Sequence, residues 1–441
     1  MVYVPEQYTI SGTGAEAIAS DVEEAISVGA LPPGAELPPI RELAAQLGIN
    51  ANTVAAAYRL LRERGAVETA GRRGTRVRNR PATTPRSLQG IAVPAGVRDL
   101  SSGNPDPALL PVARLGSRPN TPVLYGDPAV SPELAEYARS SLTADGVPAE
   151  YIAVTAGALD GIERVLSAQL RPGDRVAVED PGWANLLDLL AALGFPAEPI
   201  RVDDDGPLTV DVARALSRGV RAVVVTTRAQ NPTGAAVSAA RSKELRALLV
   251  EHDGVLLIED DHCAGISGAP LHTLAGTTRH WAFVRSAAKA YGPDLRLALL
   301  TGDRRTVERV QGRLRLGPGW ISHLLQDLAV SLWHDKAAGR RVHEAETVYT
   351  RNRALLLAAL VDRGVTARGR SGLNVWVPVP DETVAVTRLL AAGWAAAPGT
   401  RFRIGTPPGI RITISSIDAD DIDPLADAVA EAVHAVGRAS V

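Results

Sequence analysis

Ile18, Val22 and Ile26 recur at four-residue spacing and predict a helix over residues 14–28 with one apolar face. The stretch "LPPGAELPP" interrupts it. A short helix, "IRELAAQLG", follows and stops at Gly48. Asn50 stands where a cap is wanted for a third helix, "NTVAAAYRLLRERG", which ends at Gly65. Beyond it "AVETAGRRGTRVRN" reads as a two-stranded hairpin with a Gly-Arg-Arg-Gly tip. Residues 79–98 hold Pro and Gly without periodicity and read as a linker. From about residue 99 the pattern changes. Short apolar runs, "RVAVED", "AVVVTT", "VLLIED", "WAFVRS" and "LALLTG", alternate with helical stretches such as "SKELRALLVEHD". That alternation predicts an α/β domain on a mostly parallel, buried sheet. Later runs, "LNVWVPVP" and "GIRITISS", predict a smaller C-terminal α+β part.

Composition and charge sharpen this picture. A chain of 441 residues should hold two or three domains, and 46% hydrophobic residues allow a large core. One cysteine, Cys263, excludes a disulfide framework and a cysteine zinc site. No basic start with a long apolar run opens the chain, so a soluble, cytoplasmic protein is expected. The net charge of −2 conceals a local patch: residues 59–80 carry eight arginines against Glu63 and Glu68. Three helices followed by a basic hairpin form the winged helix–turn–helix pattern.

Over its whole length "LPPIRELAAQLGINANTVAAAYRLLRERGAVETAGRRGTRV" resembles the GntR-type DNA-binding module. The resemblance implies that Arg41, Thr53, Tyr58 and Arg59 meet phosphates and bases. It places Arg72, Arg73 and Gly74 in a wing that enters the minor groove. Two positions depart from the family. Pro39 stands where Ser is usual, and Ala51 where Arg is frequent. Both remove contacts.

Chemistry concentrates at the predicted strand ends: Asp180, Asn231, Asp260 and Lys289. The chain has only three lysines, Lys243, Lys289 and Lys336, among 47 Lys and Arg. Lys243 and Lys336 lie in polar stretches. A buried lysine can lose its charge and attack an aldehyde, which arginine cannot do. Asp260 could hold a pyridine nitrogen protonated. Taken singly, the acids of "IEDDH" and the turn "NPTG" are ordinary loop features, and Trp183 is ordinary core.

In this order the motifs resemble the fold-type I aminotransferases that use pyridoxal 5′-phosphate (PLP), over residues about 99–441. The resemblance implies that Lys289 is the catalytic lysine carrying PLP as an internal aldimine. Asp260 pairs with the ring nitrogen, Asn231 and His262 with the ring hydroxyl, and Trp183 stacks on the ring. Ser286, Arg296 and the N–H groups of Ala158 and Leu159 hold the phosphate. Tyr125 of "YGDP" reaches the phosphate of a partner copy, which implies a homodimer, head-to-tail and domain-swapped. Arg411 clamps a substrate or effector carboxylate. His262 replaces the usual Tyr, Ala288 the usual Ser, and Val130 and Ser131 fill a place where Gly is common.

The expected organisation is therefore multidomain: a winged helix–turn–helix over 1–78, a linker over 79–98, and an aminotransferase-like effector domain over 99–441. Its large part would span about 125–305 and its small part about 306–441 with 99–124. A GntR-type module joined to such a domain resembles the MocR (GabR-type) group of transcriptional regulators. The implied function is a regulator whose binding to a double-stranded DNA operator responds to PLP or a PLP–amine adduct, in control of vitamin B6 metabolism. The alternative is a working aminotransferase that carries a DNA-binding module. No metal spacing is present, and no membrane partner is expected.

Overall fold

The computed structural model describes residues 8, 10–27, 29–63, 66–69, 74–77, 93–113 and 122–434. The chain divides into two compact units, one built on Met1–Thr83, the other on Thr84–Leu190 and Phe195–Val441.

The first unit contains α1 (Ala15–Ser27), α2 (Ile40–Leu47), α3 (Ala51–Glu63), β1 (Val67–Thr69) and β2 (Thr75–Val77). Ile18, Val22, Leu43, Val54, Leu61 and Val77 close one core. Gly48 ends α2 in the left-handed conformation, φ 64°, with its N–H returned to Ala44 and Ala45 carbonyls. Asn50 Oδ1 accepts the Asn52 N–H at 2.8 Å and starts α3. β1 and β2 pair antiparallel, Val67 opposite Val77. Tyr58, expected among the DNA contacts, is instead a core residue. It is 1% exposed, and its hydroxyl donates to the Pro38 carbonyl at 2.7 Å. The helical period turns it inward beside Val54 and Leu61, so it fixes the turn before α2. Pro39 caps α2 without any side-chain hydrogen bond. Pro39→Ser is expected to stabilise this unit by about 1 kcal/mol. The check is the midpoint of its urea transition.

The second unit opens with β3 (Arg98–Asp99). Its main sheet uses β4 (Tyr151–Thr155), β5 (Val176–Asp180), β6 (Ala197–Asp203), β7 (Gly206–Pro207), β8 (Ala222–Thr226), β9 (Leu256–Asp261), β10 (His280–Ser286) and β11 (Ala298–Gly302). Among the described residues the order is β4-β11-β10-β9-β8-β5-β6-β7. The strands from β10 to β6 run parallel, while β11 and β7 are antiparallel. β5, β8, β9 and β11 are buried throughout. Helices cover both faces, which is why these runs are continuously apolar instead of alternating.

The helices are α4 (Pro132–Ala144), α5 (Ala158–Gln169), α6 (Ala184–Leu193), α7 (Thr209–Ser217), α8 (Ala239–Val250), α9 (Ala288–Tyr291), α10 (Arg304–Arg315), α11 (His323–His334), α12 (Lys336–Asp362), α13 (Glu382–Ala391) and α14 (Ile422–His434). Leu142 of α4, Val212 of α7 and Leu245 of α8 share a core with strand residues Val223, Leu257 and Phe283. The smaller part has β12 (Asn374–Pro378), β13 (Trp394–Ala395), β14 (Ala397–Pro398) and β15 (Gly409–Thr413). β12-β15-β14 form an antiparallel sheet, and β3 pairs parallel to β13. The segment around β3 pairs with the smaller part through β13. The expected change of part at residue 306 falls later. α10 packs on α5 and β4, and α11 shares an apolar cluster with Leu134 and Ala138 of α4. The core of the smaller part starts with Val342 and Tyr349 of α12.

Candidate functional site

The carboxyl ends of the parallel strands converge on one cavity of about 330 Å³. Lys289, Trp183, Asn231, His262, Ala158, Leu159, Ser286, Arg296 and Arg411 all line it. So do Ala288, Ser102, Gly103, Asn185, Arg401 and Phe402.

Gly157 precedes α5 with φ 100° and supplies no capping side chain. The first N–H groups of α5, at Ala158 and Leu159, therefore have no helical acceptor and suit a phosphate. Arg296 sits beside them in the left-handed region, φ 45°, and donates to the Ala156 carbonyl at 2.6 Å. A Cβ on Gly157 would come within 3.0 Å of its guanidinium. The glycine thus serves both the backbone angle and the close approach.

Lys289 is partly buried, and its Nζ donates to the Gly103 carbonyl at 2.6 Å. Burial lowers its pKa, and the positive Arg411 lowers it further. Asp260 Oδ2 takes the Nδ1 of His262 at 2.8 Å, while Oδ1 is buried without a partner. Burial opposes protonation of His262, but the fields of Cys263 and Asp260 outweigh it and raise its pKa. His262 therefore presents only Nε2 to a ligand. Trp183 lies near-parallel to it, 6.4 Å away. Asn231 Oδ1 accepts from Arg411 at 3.0 Å, leaving its amide N–H to donate. Arg411 also donates to the Ser101 carbonyl, and its buried Nε is unpartnered. Burial, then the charge of Arg401, lowers its pKa to about 9.

These residues fit PLP. The buried, unpartnered Oδ1 of Asp260, which lies behind His262 and not in the cavity lining, suits a protonated ring nitrogen; the start of α5 at Gly157 suits a phosphate; and Lys289 supplies a neutralisable amine.

Asp180, also expected at the strand ends, has a different task. Its carboxylate accepts the N–H groups of Ile404, Gly405 and Thr406 and the Thr406 hydroxyl, at 2.8 to 3.0 Å. It ties the Phe402 loop beside the cavity. Tyr125 is 94% exposed, lies edge-on to Trp320 at 5.7 Å, and does not line this chain's cavity. Ser131, a departure from the family, caps α4 by accepting the Leu134 N–H.

Glu179 is buried behind the cavity, accepting the Thr226 N–H at 3.0 Å and the Gln230 amide at 3.2 Å. Burial pushes its pKa up from 4.5 to about 7. The folded state thus holds the proton more tightly than the unfolded one. This share of stability is complete below about pH 4.5 and lost as pH rises through about 7. Glu179→Gln is expected to flatten the fall of stability over that interval. Urea midpoints at a series of pH values check it.

On the N-terminal unit, Arg41 and Arg59 are exposed, and Thr53 is half-buried at the start of α3. Arg76 of the predicted basic patch is paired with Glu36. Gly74 is exposed with φ 81°. Arg72 and Arg73 lie outside the described residues. Sequence reasoning passed over exposed Asn52 on α3, and Ser102, Asn185, Arg401 and Phe402 in the cavity. The available signals were the turn-forming "SGNP" and "PGTRF".

Residues 97–429 match the family described as aminotransferase class I and II, and residues 14–77 match the bacterial regulatory proteins of the gntR family. The chain is 40% identical, over 96% of its length and 100% of the relative's, to the vitamin B6 salvage pathway transcriptional repressor PtsJ of Salmonella typhimurium. It is 30% identical to the pyridoxine biosynthesis transcriptional regulator PdxR of Corynebacterium glutamicum, over 58% of this chain and 59% of that one. The fold is that of kynurenine aminotransferase from Pyrococcus horikoshii, with TM-score 0.70 and 21% identity over 80% of this chain and 97% of the other. Among the described residues no helix is long and apolar enough to cross a membrane. A DNA-binding module and a PLP pocket on one polypeptide place the chain in the aminotransferase class I and II family, within its MocR-type branch of gntR transcriptional regulators.

Proposed function

We propose that PLP occupancy of the cavity sets the affinity of the N-terminal unit for its operator, and that the genes controlled serve vitamin B6 metabolism. One observation carries the coupling. The Ser101–Gly103 segment, just past the linker in sequence, bonds through its carbonyls to Arg411 and Lys289. A ligand that takes these two groups must displace the segment, and so discriminates between two arrangements of it. PLP supplies an aldehyde for a neutral amine and a ring that withdraws electrons when protonated. Lys289 holds the amine, Asp260 Oδ1 holds the ring proton, Trp183 covers a flat face, and Ser286, Arg296 and the start of α5 take the phosphate. The names of PtsJ and PdxR support the link to vitamin B6.

The test is binding of the purified protein to DNA upstream of its own gene, with and without PLP. A change of roughly 5- to 150-fold is expected; equal affinities would remove the coupling. Arg59→Ala should weaken binding across sequences and reduce the salt slope by about 1. Salt titrations of both proteins decide this. Thr53, Arg41, Arg72, Arg73 and Gly74 complete the proposed DNA face.

The intact Lys289, Asp260 and Arg411 also favour a second reading, a turning-over aminotransferase. Steady-state amino transfer together with no operator binding would establish it. A cytoplasmic homodimer accompanies the first reading, because exposed Tyr125 and Leu124 have no cover in one chain. Sedimentation of the PLP-loaded protein tests it.

A further inference from the structure

Phe402 stands between two parts of the fold. It lies on the stretch that joins β14 to β15 and is buried against Ala184 of α6 and against Trp376 and Ala397 of the smaller part. Two buried carboxylates hold this stretch from different sides. Glu382 of α13 accepts the Thr400 and Gly409 N–H groups and the Arg403 Nε–H, at 2.6 to 3.2 Å. Asp180, at the end of β5, accepts the N–H groups of Ile404, Gly405 and Thr406 and the Thr406 hydroxyl. The Gly182 N–H adds a bond to the Phe402 carbonyl at 2.7 Å. Glu382 fixes the stretch on its own part. Asp180 belongs to the main sheet, so it ties the two parts together beside the cavity.

The Phe402 ring carries this tie to the cavity. The Arg411 guanidinium lies over it, 4.8 Å from the centroid. Arg411 donates at the same time to Asn231 and to the Ser101 carbonyl, so the ring contact does not compete with these donors. A carboxylate that takes Arg411 replaces the Ser101 carbonyl and leaves the ring contact in place.

We infer that Asp180 is a positioning residue: through the stretch that carries Phe402, it holds the Arg411 guanidinium in the orientation that receives a ligand carboxylate. This rests on reading Arg411 as the carboxylate seat of a PLP site. A guanidinium fixed in advance spares the ligand the cost of ordering a rotamer-rich side chain. Asparagine at position 180 keeps the size of the group but turns an amide NH2 toward donors, so half of the contacts of Asp180 lose their acceptor. Glu382 still holds the stretch on the smaller part.

The experiment uses the full-length PLP-loaded protein, titrated calorimetrically with propionate, a carboxylate without an amine to react with the cofactor. The visible absorption of bound PLP is recorded first for each protein. Asp180→Asn is expected to keep that absorption, because Lys289, Ser286 and Arg296 lie outside the Phe402 stretch. It should bind propionate roughly 2- to 10-fold more weakly. Hydrogen exchange at the Ile404, Gly405 and Thr406 amides should speed up in the same variant. Phe402→Leu should show a similar loss of propionate affinity. Adding Asp180→Asn to Phe402→Leu should then cost nothing further, since both act on one path. Thr406→Val removes only the hydroxyl donor and should show a smaller loss of the same kind; it serves if the asparagine variant does not fold. Losses that add in the double variant overturn the inference. So do an unchanged propionate affinity in Asp180→Asn, a loss of PLP absorption in that variant, and a wild type that does not bind propionate. A wild-type protein that shows no PLP absorption refutes the underlying reading instead, and that outcome is visible before any acid is added.

Discussion

Lys289→Ala is expected to abolish covalent attachment of PLP. The protein should lose the visible absorption of the bound cofactor, and borohydride reduction should leave no added mass on the chain. Affinity for PLP should fall by roughly 100-fold or more, about 3 kcal/mol. Lys289→Arg should fail equally, although it keeps charge and length, because a guanidinium stays protonated. Operator binding should then ignore PLP. If the alanine variant keeps both the absorption and the response, Lys289 is not the anchor. The pH dependence has a definite sign. Burial and Arg411 lower the pKa of Lys289. The amine is therefore neutral, and able to capture the aldehyde, at a lower pH than an exposed lysine. Arg411→Leu should move that onset to higher pH, and absorbance titrations read the shift.

Asp261→Ala is expected to cost the effector unit about 3–5 kcal/mol. Asp261, the last residue of β9, is fully buried, opposite Arg285 of β10. It accepts Arg228 through Nε at 2.8 Å and Nη2 at 3.0 Å, and Arg285 through Nε at 2.9 Å. Arg285 also reaches Asp145. Burial alone would raise the pKa of Asp261, but the two arginines outweigh it and hold it low. A depressed acid stabilises above its unfolded pKa and loses that share as pH falls through the folded value. The effect of the substitution should therefore be full near neutrality and shrink only in strong acid. Removing the acid leaves buried Arg228 with only the Ala269 carbonyl and takes from Arg285 one of its two carboxylates. Replacing all three residues by apolar ones of similar volume should cost much less. Urea unfolding of the second transition measures both. A loss below about 1 kcal/mol for the single variant would mean that the arginines find water or other acceptors.

Periodicity and turn residues were enough for the elements. The four-residue spacing of Ile18, Val22 and Ile26 yields α1, and the apolar runs yield β5, β8, β9, β10 and β11. Asn231 and Lys289 line the cavity and Asp260 lies at the end of β9, the region where α/β sheets bind ligands. Tyr58 was misread for a simple reason. A helix of core and DNA-facing residues looks the same in a string of letters until the packing of α1 against α3 decides which face is inside. Likewise Asp180 and Asp260 both end strands as acids. Only the fold gives one of them four donors from the Phe402 loop and leaves the other with an orphan oxygen.

The sequence by itself determined which groups are present here: a scarce lysine among arginines, an acid at a strand end, a glycine before a helix, and an arginine-rich module ahead of them. Those are properties of residue type and local order. The tertiary structure decided what each group faces. It brings Arg401 and Arg411 to one ring, although ten positions separate them. It also sets the Ser101 and Gly103 carbonyls against Arg411 and Lys289 from the far end of the unit. Charge repulsion and hydrogen bonding act through space over a few ångströms, and such neighbours are made only when the chain closes on itself.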